Sequence, residues 1–262
     1  MRSHVAAVYA FARVADDIAD EGTDATEVRQ ARLRDWQHRL HRAASGTERD
    51  GGAVDRDSLI FAALGHTIRS LDLPLSLFDD LLSAFGQDIT TSRYASWAEV
   101  FDYCRRSANP VGRLVLRIAG YRDQAIDRSS DALCTALQLT NFWQDFGRDW
   151  AAGRLYVPRD VQEACGAREA DVQEGPLTPE WARALDECVK TTRECFDGGR
   201  YVCDAVRGRL RFELRLTWLG GRRILDRVER TRAELLRQRP RLVRADVPVL
   251  LWGAARWGSG TA

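Results

Sequence analysis

Apolar residues recur at three- and four-residue intervals along most of the chain, and no segment alternates in the two-residue rhythm of a half-buried strand. This periodicity restricts the fold to an all-α architecture. It predicts helices over 4–21, 25–44, 58–71, 75–87, 96–120, 123–151, 179–206 and 209–238, the first ending at Gly22. Ser45 to Asp57 and residues 166–178 collect glycine, proline, serine and aspartate and read as loops, while Pro74 and Gly153 punctuate the middle of the chain. From Pro240 onward, Pro248, Trp252 and Trp257 give no assignable element. No solenoid repeat occurs, and no glycine fingerprint follows a strand. Gly220-Gly221-Arg222-Arg223 lies inside a helical pattern, where paired glycines let helices approach closely.

At 262 residues and 45% hydrophobic, the chain can bury a sizeable core as one large domain or two small ones. A formal net charge of +1 argues against electrostatic capture of nucleic acid. The six cysteines, at 104, 134, 165, 188, 195 and 203, form no C-x-x-C pair and read as the reduced thiols of a cytoplasmic protein. No stretch approaches the roughly 18 apolar residues of a membrane span. The first residues lack the apolar run of a signal peptide.

Two constellations carry chemistry. In YAFARVADDIAD, Tyr9, Arg13, Asp16 and Asp20 follow at steps of four, three and four, which stacks them on one helix face. Asp17 points about 100° away from Asp16. Paired carboxylates a turn apart suit a hard cation such as magnesium, which shares its oxygen ligands with substrate phosphates, and Arg13 suits the same phosphate. The flanking Val5, Ala6, Val8, Ala10, Phe11, Ala12, Val14, Ala15, Ile18 and Ala19 make this helix apolar nearly all round. Such a helix is expected to be buried, where carboxylates require partners. A solvated acidic face with a local Arg–Asp pair is the plainer alternative.

In QLTNFWQDFGRD, Gln138, Asn141, Asp145 and Asp149 follow at three, four and four, again one face, among Leu137, Leu139, Phe142, Trp143 and Phe146. A polar stripe is costly on an apolar helix unless it lines a cavity. Two D-x-x-x-D stripes predict two carboxylate pairs facing one cleft with metal ions and a diphosphate between them. A di-iron bundle needs Glu-x-x-His on two helices, and none of His4, His38, His41 and His66 lies three residues after a glutamate.

With these motifs the chain resembles the squalene and phytoene synthase family of head-to-head prenyl synthases. YAFARVADDIAD resembles the family's first aspartate motif, QLTNFWQDFGRDWAAGRLYVP its second, and RYASWAEVFDYCRRSANPVGRL the segment between. The likeness runs from about residue 4 to residue 230. Asn141-Phe142-Trp143-Gln144-Asp145 and Ser107-Ala108-Asn109-Pro110-Val111-Gly112 most resemble the bacterial hopanoid branch, whose members act on presqualene diphosphate.

The resemblance implies a single isoprenoid synthase-like domain over 1–262, a helical bundle with a central cavity. The family's helix before the first motif has no counterpart here, which leaves either a late chain start or a cavity open at one end. It implies three magnesium ions bound with diphosphate by Asp16, Asp20, Asp145 and Asp149, with Asn141 assisting and Gln138 on the same stripe. Arg13 and Arg154 would grip the diphosphate. Tyr9 and Tyr103 would line the reacting centre, and Phe142 and Trp143 would offer π faces to a carbocation. Gln144 would hold the attacking water. The implied reaction opens presqualene diphosphate to hydroxysqualene without NADPH. The alternatives are head-to-head condensation of two prenyl diphosphates to squalene, presqualene diphosphate or phytoene, and a non-catalytic helical relative. Arg148, where relatives carry Glu, and Gln144, where they carry Arg, depart from the pattern. Read alone, Tyr103 is equally a core tyrosine, and Gly153 to Pro158 a helix cap with a proline stop. Trp252, Arg256 and Trp257 suit either peripheral contact with a membrane that supplies the greasy substrate or packing of the tail on the bundle. The sequence gives no oligomeric state.

Overall fold

The computed structural model describes residues 1–20, 24–47, 55–173 and 175–258. Gly22 and residues 48–54 of the expected loop lie outside them. The helices in chain order are α1 (Arg2–Asp20), α2 (Thr26–Ser45), α3 (Arg56–Leu71), α4 (Leu75–Asp88), α5 (Trp97–Ser107), α6 (Asn109–Ile118), α7 (Gln124–Gln144), α8 (Phe146–Ala151), α9 (Arg159–Cys165), α10 (Pro179–Gly198), α11 (Val202–Ala205), α12 (Gly208–Arg230) and α13 (Asp246–Arg256). Single 3₁₀ turns lie at Glu169–Asp171 and Arg232–Glu234, and the described residues contain no strand. They gather into two compact units, Met1–Thr91 with Arg105–Arg122, and Ser92–Cys104 with Asp123–Ala262.

In the first unit α1 packs against α2, α3, α4 and α6. Its buried stripe is Ala7, Phe11, Ala15 and Ala19, one residue per turn. The alanines let neighbouring helices approach, and the Phe11 ring fills the space between Trp36, Phe61 and Phe78, with centroids 5.9, 6.1 and 5.7 Å away. Leu40, Leu64, Leu81 and Leu114 complete this core. The expectation that α1 is buried all round is corrected here: Val5 and Ala6 are exposed and Tyr9 is 67% exposed. Small alanines and valines tolerate solvent, so an apolar count overstated the buried arc.

In the second unit α7 packs on α10 and α12, and α13 packs on α12. Asp123 caps α7 by accepting from the backbone N–H groups of Ala125 and Ile126 at 2.8 and 3.0 Å. Close approach of α7 and the end of α10 depends on Gly199, whose Cβ would lie 2.7 Å from the backbone of Leu133. Gly221 packs as expected, with room for a Cβ denied by Leu137 and Phe196, each at 2.7 Å.

Several expected helices break. The run 96–120 divides at Ala108, after which α6 begins with Pro110 in its first turn. The run 123–151 divides at Asp145 into α7 and α8. The run 179–206 divides after Gly198, and that over 209–238 ends at Arg230. A short α9 and the tail helix α13 occupy stretches the periodicity did not assign. All six cysteines are free, and burial pushes the Cys195 and Cys203 thiols up to about 11 and about 12.

Candidate active site

The first stripe stands on an open face of α1. Arg13 bridges two carboxylates, at 3.0 Å to Asp16 and 2.6 Å to Asp17. Arg13 and Asp20 are exposed and Asp16 is half-buried. Asp17, set aside by helical geometry, is thus drawn into the same charge cluster, because the long arginine side chain spans the 100° between successive residues.

The second stripe converges on the junction of α7 and α8. Asp145 ends α7 with φ −96° and ψ 10°, and the backbone N–H of Asp149 still reaches its carbonyl at 2.9 Å. The one-residue break therefore keeps Asp145 and Asp149 a single turn apart. Their side chains are 16% and 15% exposed. Burial of two carboxylates demands compensating charge, and three arginines supply it. Arg239 clamps Asp145 bidentately, Nε donating to Oδ1 and Nη2 to Oδ2. Arg148 lies 3.8 Å from Asp145, and Arg154 lies 3.6 Å from Asp149. The Arg239–carboxylate bond raises the pKa of that guanidinium above its ordinary value. Sequence reasoning missed Arg239 because it stands ninety-four residues from Asp145, beyond any local periodicity. Arg148, a departure on paper, joins this positive rim. Asn141 is exposed and Gln138 half-buried, both on the same α7 face.

An aromatic cluster adjoins α7. Phe142 stacks face to face on Tyr156 at 3.7 Å and 6°, and Tyr103 lies 6.0 Å from Phe142 and 5.8 Å from Tyr94. Tyr94 and Tyr156 come from non-helical segments joined by backbone bonds: Leu155 N–H donates to Ser92 O at 2.9 Å, and Arg159 N–H to Tyr94 O at 3.0 Å. Arg93 fixes the same region, donating to Glu169 and to Gly153 O. Neither Tyr94 nor Tyr156 sits in a helical period, so nothing local singled them out.

Three expectations change. Trp143 is fully buried, its indole N–H donating to Thr192 Oγ1 at 2.9 Å and its ring edge-on to Trp97, so it is a core side chain rather than a wall of a cavity. Gln144 is 8% exposed and its amide nitrogen donates to Pro240 O at 2.6 Å, which ties the tail to α7 instead of leaving that donor for a reacting water. Tyr9 faces solvent and packs in no core. Beside Asn141 and Gln144, a cavity of about 430 Å³ opens between α7 and α12, bounded by Leu137, Leu216, Gly220, Ile224 and Leu242.

The donor chemistry fits magnesium. Each stripe offers hard carboxylate oxygens one turn apart, and no group of three or more His, Cys, Asp or Glu side chains forms a cation cage among the described residues. No described helix is long and apolar enough to cross a membrane.

Comparison with known proteins agrees with this architecture. The hydroxysqualene synthase of Zymomonas mobilis is 39% identical over 173 residues, 65% of this chain and 54% of the relative, so the chain spans about half of that protein's length. That of Sinorhizobium fredii is 34% identical over 218 residues, 81% of this chain and 70% of the relative. The crystal structure of squalene synthase HpnC from Alicyclobacillus acidocaldarius superimposes with a TM-score of 0.79 at 39% identity, covering 87% of this chain and 82% of that one, and shares the all-helical isoprenoid synthase fold. A family model described as squalene/phytoene synthase matches residues 1–246, a span that takes in both aspartate stripes, the aromatic cluster and Arg239; by that match this chain belongs to the squalene/phytoene synthase family.

Proposed function

We propose that the chain converts presqualene diphosphate to hydroxysqualene in a magnesium-dependent reaction without a reductant. The observation that carries this reading is the setting of Asp145 and Asp149: two nearly buried carboxylates one turn apart, rimmed by Arg148, Arg154 and Arg239, on the helix that also presents Phe142 to Tyr103 and Tyr156. The relatives named hydroxysqualene synthase support the choice of product within the family.

In this reading Asp145 and Asp149 would hold magnesium, with Asn141 assisting, and Asp16 and Asp20 on α1 would offer a second pair of carboxylates for it. Bound magnesium supplies positive charge that offsets the charge growing on the departing diphosphate. Arg13 and Arg154 grip the diphosphate oxygens, and Arg239 keeps the Asp145 carboxylate oriented until the substrate arrives. Tyr103, Phe142 and Tyr156 exclude water and present π faces to the allylic cation. The cavity beside Asn141 accepts hydrocarbon. Water then attacks the rearranged cation and loses a proton, giving the alcohol.

Purified protein incubated separately with presqualene diphosphate, farnesyl diphosphate and geranylgeranyl diphosphate, with magnesium, oxygen-18 water and no NADPH, tests this. Label is expected in a C30 alcohol from presqualene diphosphate. Presqualene diphosphate as the sole product from farnesyl diphosphate, or phytoene from geranylgeranyl diphosphate, overturns the subfamily reading. No product from any of the three overturns the enzyme reading.

A further inference from the structure

The tail beginning at Leu235 differs in character from the rest of the surface. Over 235–258 arginines stand at 237, 239, 241, 244 and 256, and the single acid is Asp246. Asp246 is 1% exposed and is held by Arg223, Arg227 and the backbone N–H of Val243. No negative charge of this segment therefore reaches solvent. From Val247 to Ala255 no residue is charged.

α13 buries Asp246 and Ala254 against α12, with Leu250, Gly253 and Trp257 half-buried on the same side. The opposite face is apolar apart from Arg256 and open to solvent: Val247 52%, Val249 53%, Leu251 45% and Trp252 61% exposed. Val243, at 54%, continues the patch N-terminally. Isolated exposed apolar residues are ordinary, whereas a whole helix face of them marks a contact surface. Arg241, Arg244 and Arg256 are exposed around it, and the Arg256 guanidinium lies 4.2 Å over the Trp252 ring.

We propose that α13 and residues 241–245 form a docking surface for an anionic phospholipid bilayer, with the helix lying in the headgroup plane. Val247, Leu251 and Trp252 enter the acyl boundary, and Arg241, Arg244 and Arg256 meet lipid phosphates. Charge complementarity favours this occupant: an outward segment carrying only apolar and cationic groups matches anionic headgroups over hydrocarbon, and tryptophan prefers that interface. A second copy of the chain fits poorly. An 11-residue helix is about 16 Å long and 10 Å wide, a footprint of roughly 160 Å², far below the ~800 Å² per partner of a stable dimer. The same positive rims would also oppose each other. The inference is independent of the reaction proposed above.

Sedimentation with vesicles of phosphatidylcholine containing roughly one part in three phosphatidylglycerol, against pure phosphatidylcholine, tests it. The wild-type protein is expected to partition onto the anionic vesicles and to dissociate at high salt. Val247→Asp with Leu251→Asp, both at exposed positions, should lower the partition coefficient by more than about a hundredfold. Arg244→Ala with Arg256→Ala should lower it roughly thirtyfold. Brominated acyl chains should quench a component of tryptophan emission that Trp252→Phe abolishes. Equal binding of the wild type and the aspartate variant overturns the proposal. So does a wild type indifferent to lipid charge, or bromine quenching unchanged in Trp252→Phe. A wild-type dimer that the aspartate variant disperses overturns it in favour of self-association.

Discussion

Thr192→Val probes how α10 holds the helix that ends in Asp145. Trp143 and Thr192 are both fully buried, and the indole N–H donates to Thr192 Oγ1 at 2.9 Å while that hydroxyl donates to Cys188 O at 2.7 Å. Valine keeps the shape of threonine and removes the acceptor. The Cys188 carbonyl stays within the α10 ladder, so the loss falls on the indole, and a buried donor left without a partner costs about 1–3 kcal/mol. The extra methyl offsets part of this, leaving about 1–2 kcal/mol, or roughly 2–8 °C in Tm for a chain of this size. In a Trp143→Phe background no N–H remains to orphan, and the same Thr192→Val change should be neutral or stabilising. Urea denaturation of the four proteins, followed by circular dichroism, gives the coupling, expected at about 1–2 kcal/mol. An equal cost of Thr192→Val in both backgrounds would refute the reasoning and remove the Trp143–Thr192 bond from the account of this interface.

Asp145→Asn should lower turnover of presqualene diphosphate by about 10²–10³-fold with the far-ultraviolet spectrum unchanged; activity within tenfold of wild type at limiting magnesium contradicts the assignment. Gly147→Ala would place a Cβ 2.7 Å from the carbonyl oxygens of Leu235 and Leu236, so a loss of about 1–3 kcal/mol is expected in urea, and an unshifted midpoint contradicts the packing. The backbone N–H of Val243 and the Arg223 and Arg227 guanidiniums lower the Asp246 carboxyl from 3.8 to about 2. Because the folded-state value is depressed, its contribution is complete above about pH 4 and disappears as pH falls towards 2. Asp246→Asn should therefore destabilise at pH 6 and make little difference at pH 2, and a pH-independent effect rules this out.

The helices were legible because their periods are long, but their breaks were not. Nothing at Asp145 announces an interruption: the nearest glycine is two residues on, and the backbone bond from Asp145 to Asn141 survives it. The spacing of both aspartate stripes was readable, since i, i+4 repeats follow from helix geometry alone. The exposure of α1 was not, because its alanines fit a core and a surface equally well. Trp143 looked like a cavity wall in the motif, and only the position of Thr192, forty-nine residues later, identifies it as core. Arg239, Tyr94 and Tyr156 lie in stretches without regular periodicity, where function leaves no rhythm to detect. Gly221 was read correctly from the need for close packing.

The interleaving of the two units sets a timetable for synthesis. The chain leaves the first unit at residue 91, returns at 105 and leaves again at 122. Tyr94 and Tyr103 therefore emerge from the ribosome well before the residues they stack on. Tyr156 follows Tyr94 by sixty-two positions, and at about 5–20 residues per second that gap lasts roughly 3–12 s. During it the segment 92–104 has no Phe142 or Tyr156 to cover its aromatic rings, while the whole first unit, ending at Arg122, is already synthesised.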